Sequence, residues 1–66
     1  MNIVVNGEQR GFEGVGDLAA LVVALGLDQR KVAIERNLEI VPRAAYLTTA
    51  IAEGDRIEIV HFIGGG

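Results

Sequence analysis

The chain has 66 residues, half of them hydrophobic, and carries a formal net charge of -3 at pH 7. This length suits one small domain whose core is near the lower limit for folding without help. The absence of cysteine excludes a disulfide framework, a thiolate nucleophile and a cysteine-bound iron–sulfur cluster. Because the basic residues are scattered and the net charge is negative, nonspecific binding to nucleic acid is disfavoured.

The amino-terminal segment has no basic stretch, and its apolar run is too short for a signal peptide or a membrane span. We therefore expect a cytoplasmic protein that does not enter a membrane.

The first predicted element is a β-hairpin, because residues 3–5 lead into Asn6-Gly7, a dipeptide typical of tight turns with positive φ at both positions. Residues 8–13 form the returning strand, and Phe12 is expected in the core.

A helix is predicted over residues 18–25. Asp17 is placed to cap its amino terminus, and Gly26 falls where a left-handed carboxyl-terminal cap is favoured. One helical face collects four apolar side chains at spacings of three and four residues, namely Leu18, Leu21, Val22 and Leu25. This face is predicted to pack on the sheet. The opposite face has only small apolar residues and no charge, and we interpret it as ordinary surface.

The second half of the chain is predicted to form short strands and turns. We predict a strand at 32–35, a turn at 36–37, an edge segment at 40–42, a short strand at 46–49, a turn at 52–55 and a last strand at 56–63. In the last strand, Ile57, Ile59 and Ile63 are expected to face the core. Alternation then places Val60 and Phe62 on the opposite face, where they form a candidate partner surface.

The chain ends in Gly64, Gly65 and Gly66. We expect a folded domain at 1–63 followed by a flexible tail at 64–66. Glycine has no Cβ, so such a tail fits a channel too narrow for other residues. Three extended residues reach about 10 Å. A second enzyme is thus able to take the terminal carboxylate into its active site, although glycine runs also occur as loose termini.

The order hairpin, helix, strand, short strand, strand predicts an α+β fold of the ubiquitin-like β-grasp type. We expect a mixed sheet of four to five strands crossed by one main helix. In this topology the last strand lies centrally, beside the first strand and parallel to it. No internal repeat or second domain is visible in the sequence.

A β-grasp body ending in glycines resembles the sulfur carrier proteins, and in particular the ThiS family of thiamine biosynthesis. The segments that carry the resemblance are residues 32–43 and residues 54–66, together with the Asn6-Gly7 hairpin. The resemblance covers the whole chain. Its terminal segment is the specific part, since the body alone supports only a fold-level analogy.

The resemblance implies that an E1-like adenylyltransferase joins AMP to the Gly66 carboxylate, using ATP and magnesium, while Gly64 and Gly65 thread into that enzyme. A sulfur donor relay such as a cysteine desulfurase then converts the adenylate to a thiocarboxylate, which delivers sulfur to thiazole synthase. The chain itself is expected to bind no cofactor or metal and to be a protein cosubstrate, not an enzyme. His61 has no partners at metal-ligand spacing, and we interpret it as an ordinary strand residue.

Three alternatives remain open on the sequence. A carrier for molybdopterin synthase works through the same terminal thiocarboxylate but uses a different acceptor. A ubiquitin-like modifier instead becomes attached to lysines of target proteins. A β-grasp binding module makes the glycine tail incidental, although its negative charge fits poorly with binding RNA.

Overall fold

The computed structural model describes residues 1–62. It contains the strands β1 (Asn2–Val5), β2 (Glu8–Gly11), β3 (Val32–Arg36), β4 (Glu39–Val41) and β5 (Arg56–His61), the helix α1 (Leu18–Ala24), and two 3₁₀ turns at Gln29–Lys31 and Arg43–Ala45. The predicted boundary between a body ending at 63 and a tail at 64–66 lies outside these residues. Within residues 1–62, no helix is long and apolar enough to cross a membrane.

The five strands form one mixed sheet in the order β2-β1-β5-β3-β4. β1 and β5 are parallel, while the other neighbouring pairs are antiparallel. The prediction of a central last strand parallel to the first is therefore confirmed. A central position surrounds β5 with neighbours on both sides, so its inward side chains Ile57 and Ile59 are buried.

The turn between β1 and β2 has the predicted conformation, with φ of 50° at Asn6 and 82° at Gly7. The Asn6 side chain also bonds across to β5. Its Oδ1 accepts from the Ile59 N–H at 2.7 Å, and its Nδ2 donates to the Ile59 carbonyl at 3.2 Å. Asn6 therefore continues the pairing of β1 with β5 beyond the last residue of β1.

β2 ends at Gly11, two residues before the predicted end of that strand. The next residue, Phe12, is only partly buried and packs against the core, and the Arg10 guanidinium lies 5.4 Å from its ring centroid. The edge position of β2 explains this partial exposure, since only one neighbouring strand covers it.

Both predicted caps of α1 are present. The Asp17 Oδ1 accepts from the Ala20 N–H at 2.8 Å. At the other end Gly26 has φ of 74°, its N–H donates to the Val23 carbonyl at 2.9 Å, and the Leu27 N–H donates to the Val22 carbonyl at 3.0 Å. These two bonds close the helix after Ala24, one residue before the predicted end.

The helix covers one face of the sheet, and the core lies between them. Its buried side chains come from the strands, from α1 and from the loop before β5: Ile3, Val5, Leu18, Leu21, Val22, Val32, Ile34, Tyr46, Ile51, Ile57 and Ile59. Leu25, predicted for the helical stripe, is only half-buried at the helix end.

The predicted strand at 46–49 is wrong. The chain makes a 3₁₀ turn at Arg43–Ala45 after Pro42, and the Thr49 hydroxyl donates to the Ala45 carbonyl at 2.6 Å, which holds the backbone in a turn. Tyr46 is buried, and its hydroxyl donates to the Val32 carbonyl at 3.3 Å. Threonine and tyrosine favour strands on average, but these two hydrogen bonds, one local and one to the distant Val32, prevail here.

One carboxylate, that of Asp55, is buried beside the start of β5. It accepts from Arg36 Nε at 2.8 Å, from Asn37 Nδ2 at 3.1 Å and from the Ala52 N–H at 2.8 Å. Asn37 in turn accepts from the Arg56 N–H at 2.9 Å. This network ties the turn between β3 and β4 to the loop that leads into β5.

The pKa of Asp55 lies below its ordinary value. Burial acts to raise this pKa, but the hydrogen bonds from Ala52, Asn37 and Arg36 together with the positive charge of Arg36 outweigh burial. Because the pKa is lower in the folded state than in the unfolded state, ionised Asp55 stabilises the fold at pH values above its unfolded pKa of about 4. That stabilisation is lost as the pH falls through the folded-state pKa.

Replacing Asp55 by asparagine is therefore expected to change the pH dependence of stability. At about pH 6 the Asp55→Asn protein should be less stable than the wild type by about 2 kcal/mol, because hydrogen bonds to a charged acceptor are lost. The difference should narrow at about pH 3, because this pH lies below the unfolded-state pKa of about 4 and the stabilisation by ionised Asp55 is progressively lost there. Urea unfolding of both proteins at the two pH values measures it. An unchanged difference would contradict the assigned role of ionised Asp55.

Candidate partner-docking site

The sheet face opposite α1 carries the predicted partner surface. Val60 and Phe62 are 60% and 45% exposed, whereas Ile57 and Ile59 of the same strand are buried. The predicted alternation is thus confirmed for these four residues. Ile63, the fifth residue of that prediction, lies outside the described part of the chain.

Strand register adds two residues to this surface that the sequence did not single out. Ala33 of β3 lies opposite Val60, and Ile40 of β4, 81% exposed, lies opposite Glu35. We define the open-face patch as Ala33, Ile40, Val60 and Phe62. The hydrophobic character of Ile40 was visible in the sequence, but its placement on the same sheet face as Val60 depends on the pairing of β4 with β3.

The final described residue follows the same register. The Phe62 N–H donates to the Lys31 carbonyl at 2.7 Å, one step beyond the pairing of His61 with Val32. Two residues along from Val60, Phe62 therefore lies on the open face. The structure brings the chain to the end of the sheet beside the open-face patch. Gly64, Gly65 and Gly66, the predicted sites of tail threading and adenylation, lie outside the described residues.

Two carboxylates lie on the same sheet face, next to residues of the open-face patch. Glu35 and Glu58 are directly opposite each other on β3 and β5, and with Ala33, Ile40 and Val60 they line a shallow depression. Like charges in this arrangement repel each other. An apolar floor with two carboxylates suits a partner surface that offers apolar side chains together with a basic group.

His61, at the end of β5, is exposed to solvent. Across residues 1–62, no three histidine, aspartate or glutamate side chains come close enough together to hold a metal ion. The described surface offers an apolar patch and two carboxylates, on a sheet whose central strand β5 is followed in the sequence by the glycines.

Comparison with known proteins places this arrangement in a family. A model of the ThiS family matches residues 3–66. Thiazole synthase of Paramagnetospirillum magneticum is 54% identical over 66 residues, which are all of this chain but 20% of that protein. The chain thus spans about a fifth of the length of that curated relative. Sulfur carrier protein ThiS of Bacillus subtilis is 39% identical over 51 residues, 77% of each chain.

The fold agrees with these sequence matches. A crystal structure of the thiamine biosynthesis protein ThiS from Geobacter metallireducens superposes with a TM-score of 0.83 at 35% identity, and the match covers 100% of both chains. The predicted β-grasp architecture is thereby confirmed. Since the family model spans nearly all of the sequence and the fold is that of a solved ThiS protein, the chain belongs to the ThiS family.

Proposed function

We propose that this chain is the sulfur carrier that delivers sulfur for the thiazole moiety in thiamine biosynthesis. The observation that carries the proposal is the family match, which extends through the terminal glycines to residue 66. The 39% identity to the sulfur carrier protein of Bacillus subtilis supports it.

In this proposal the Gly66 carboxylate is the sulfur-bearing group. A carboxylate is a poor electrophile, so an E1-like adenylyltransferase first attaches AMP from ATP, with magnesium, and releases pyrophosphate. Persulfide sulfur from a cysteine desulfurase relay then attacks the carbonyl carbon and displaces AMP. A thiol cleaves the resulting acyl disulfide by thiol–disulfide exchange, which leaves a thiocarboxylate on the chain and a disulfide on the relay. Gly64 and Gly65 pass through the narrow entrance of the partner because neither has a Cβ.

The chain acts as a protein cosubstrate in this scheme, and its partners perform the catalysis. The sequence offers no cysteine nucleophile. Asp55, a buried carboxylate with a lowered pKa, is fully occupied by hydrogen bonds that hold the fold. We therefore assign to the folded body the role of presenting the tail in a cytoplasmic reaction sequence.

We propose thiazole synthase as the acceptor of the sulfur. The entire chain matches a fifth of the thiazole synthase of Paramagnetospirillum magneticum, so in that protein a segment of this kind accompanies the synthase. This juxtaposition favours thiazole synthase over the molybdopterin-type acceptor.

Intact-mass measurement tests the carrier chemistry. The chain is incubated with its cognate adenylating enzyme, ATP, magnesium and a sulfur source, beside a version lacking Gly65 and Gly66. We expect the full chain to gain the mass of one sulfur in exchange for one oxygen and the truncated chain to remain unchanged. Attachment to lysines of other proteins would instead indicate a modifier. If the chain does not react while the enzyme is active on a known carrier, the interpretation as a binding module is favoured instead.

The open-face patch is proposed to contact these partners, and Val60→Ser tests that role. Loss of one apolar anchor from an interface should lower affinity for the adenylating enzyme about tenfold. Val23→Ser on the outer face of α1 is the matched control, because Val23 is 76% exposed on the opposite side of the sheet. Isothermal titration of each variant against the enzyme compares them. Equal affinities for both variants would remove Val60 from the interface.

A further inference from the structure

Three basic residues from two separate segments of the sequence meet where the sheet ends. Arg30 and Lys31 belong to the first 3₁₀ turn, and Arg43 opens the second one. The Arg43 Nη2 donates to the Arg30 carbonyl at 2.9 Å, while the Lys31 carbonyl accepts from the Phe62 N–H at 2.7 Å. We call Arg30, Lys31 and Arg43 the tail-root cluster, since it adjoins the last described residue before the glycines.

Arg30 is already partly neutralised within this cluster. It donates to both carboxylate oxygens of Asp28, and the closest approach is 2.9 Å. The side-chain hydrogen bond from Arg30, followed by its backbone hydrogen bond, lowers the pKa of Asp28 to about 2, so Asp28 is charged at neutral pH. Within the cluster, Lys31 and Arg43 form no ion pair with any residue of the described part of the chain.

Neither of these two charges takes part in an ion pair that holds the described part of the fold together. Lys31 is exposed, and its side chain makes no hydrogen bond or ion pair to the rest of the described chain. Arg43 is also exposed, and its side chain donates one hydrogen bond, to a backbone carbonyl. For Lys31 in particular, no side-chain hydrogen bond or ion pair within the described chain supports a structural role. Exposed charges of this kind act mainly on what approaches them from solution.

The cluster also creates an asymmetry across the surface. The protein as a whole is negative, and the middle of its open face carries the opposed carboxylates Glu35 and Glu58. The tail root, by contrast, is positive. A partner that offers a basic group to the open face and an acidic group near the tail would meet this chain in a single orientation.

We propose that Lys31 and Arg43 dock against an acidic rim around the partner site that receives the glycine tail. This inference rests on the proposed function, and the partner it concerns is the enzyme that activates the terminal carboxylate. Complementary charges at the edge of an interface accelerate encounter and select orientation more than they add affinity. The cluster therefore acts by bringing the tail to the entrance at a higher rate.

Charge reversal at both positions tests the proposal. The Lys31→Glu/Arg43→Glu protein is compared with Arg10→Glu/Arg56→Glu, which has the same net charge but is altered on edge strand β2 and at the start of β5. Pyrophosphate release by the adenylating enzyme gives kcat and KM at low and high salt. Circular dichroism checks that each protein is folded. If the double variant is unfolded, the single variant Lys31→Glu replaces it in the comparison.

At low ionic strength we expect kcat/KM of the tail-root variant to fall about tenfold below that of the control, through KM, with kcat unchanged. The difference should shrink to less than about threefold at about 0.5 M salt, because screening removes long-range attraction. Equal kcat/KM for both variants at low salt, or a difference that salt does not reduce, would overturn the proposal. A wild-type chain that is not adenylated at all would remove the proposed function, and this inference with it.

Discussion

Gly65→Val is expected to stop adenylation of the chain while leaving its fold intact. Valine adds a branched side chain one residue before the reacting carboxylate, where the proposed channel admits only backbone. Displacement of a reacting group by about 1 Å is enough to cost about 100-fold in rate, so we expect a loss of at least that size. Intact mass after a timed incubation with the adenylating enzyme measures the loss.

The matched control for this variant is Gly16→Val, the same change in the folded body. A Cβ at Gly16 meets no atom within 4 Å, so the substitution is sterically acceptable there. Circular dichroism and urea unfolding should show that Gly65→Val unfolds as the wild type does. Normal adenylation of Gly65→Val would contradict the narrow-channel argument, because it would show that glycine is not required at position 65.

Ile57→Ala should have the largest effect on stability. Ile57 is fully buried in the central strand, and removing its side-chain atoms leaves a cavity that costs about 2–5 kcal/mol. A domain of this length has a total stability of roughly 3–10 kcal/mol, so the variant should lose a large part of its stability. Urea unfolding followed by circular dichroism gives the change in free energy.

Ile40→Ala is the control for Ile57→Ala, since Ile40 is 81% exposed on edge strand β4. Its effect on the free energy of unfolding should stay within about 0.5 kcal/mol. Similar losses for the two variants would show that the core is not organised around β5 as described.

Local sequence patterns accounted for much of this fold. The Asn6-Gly7 turn was predictable because both positions need positive φ, and α1 was predictable from its cap at Asp17, its apolar spacing and its terminal Gly26. The alternation of side chains in β5 correctly predicted that Val60 is exposed. These signals share one property, since each is set by residues within a few positions of one another.

Contacts between distant residues explain what was missed. The turn around Tyr46 depends on hydrogen bonds to Ala19 and Val32, which a strand propensity does not contain. Likewise, Ile40 joins the open-face patch only through the register of β4 with β3. The tail-root cluster needs the second 3₁₀ turn to bring Arg43 to the first.

The candidate site divides in the same way. The terminal glycines were recognisable from sequence because their chemistry depends on the absence of side chains, and the family match reaches them. Their role in adenylation remains a proposal. The surface beside them, with its apolar patch, opposed carboxylates and basic root, emerged from the fold, since its members come from β3, β4, β5 and both 3₁₀ turns.

The most direct test of the carrier role is transfer of isotopically labelled sulfur from the chain to product. The chain is loaded with labelled sulfur at Gly66, purified, and incubated with active thiazole synthase and its other substrates. We predict that the label appears in the thiazole ring while the chain returns to the mass of its free carboxylate. Label that stays on the chain, beside a synthase active with a known carrier, would contradict delivery to thiazole synthase.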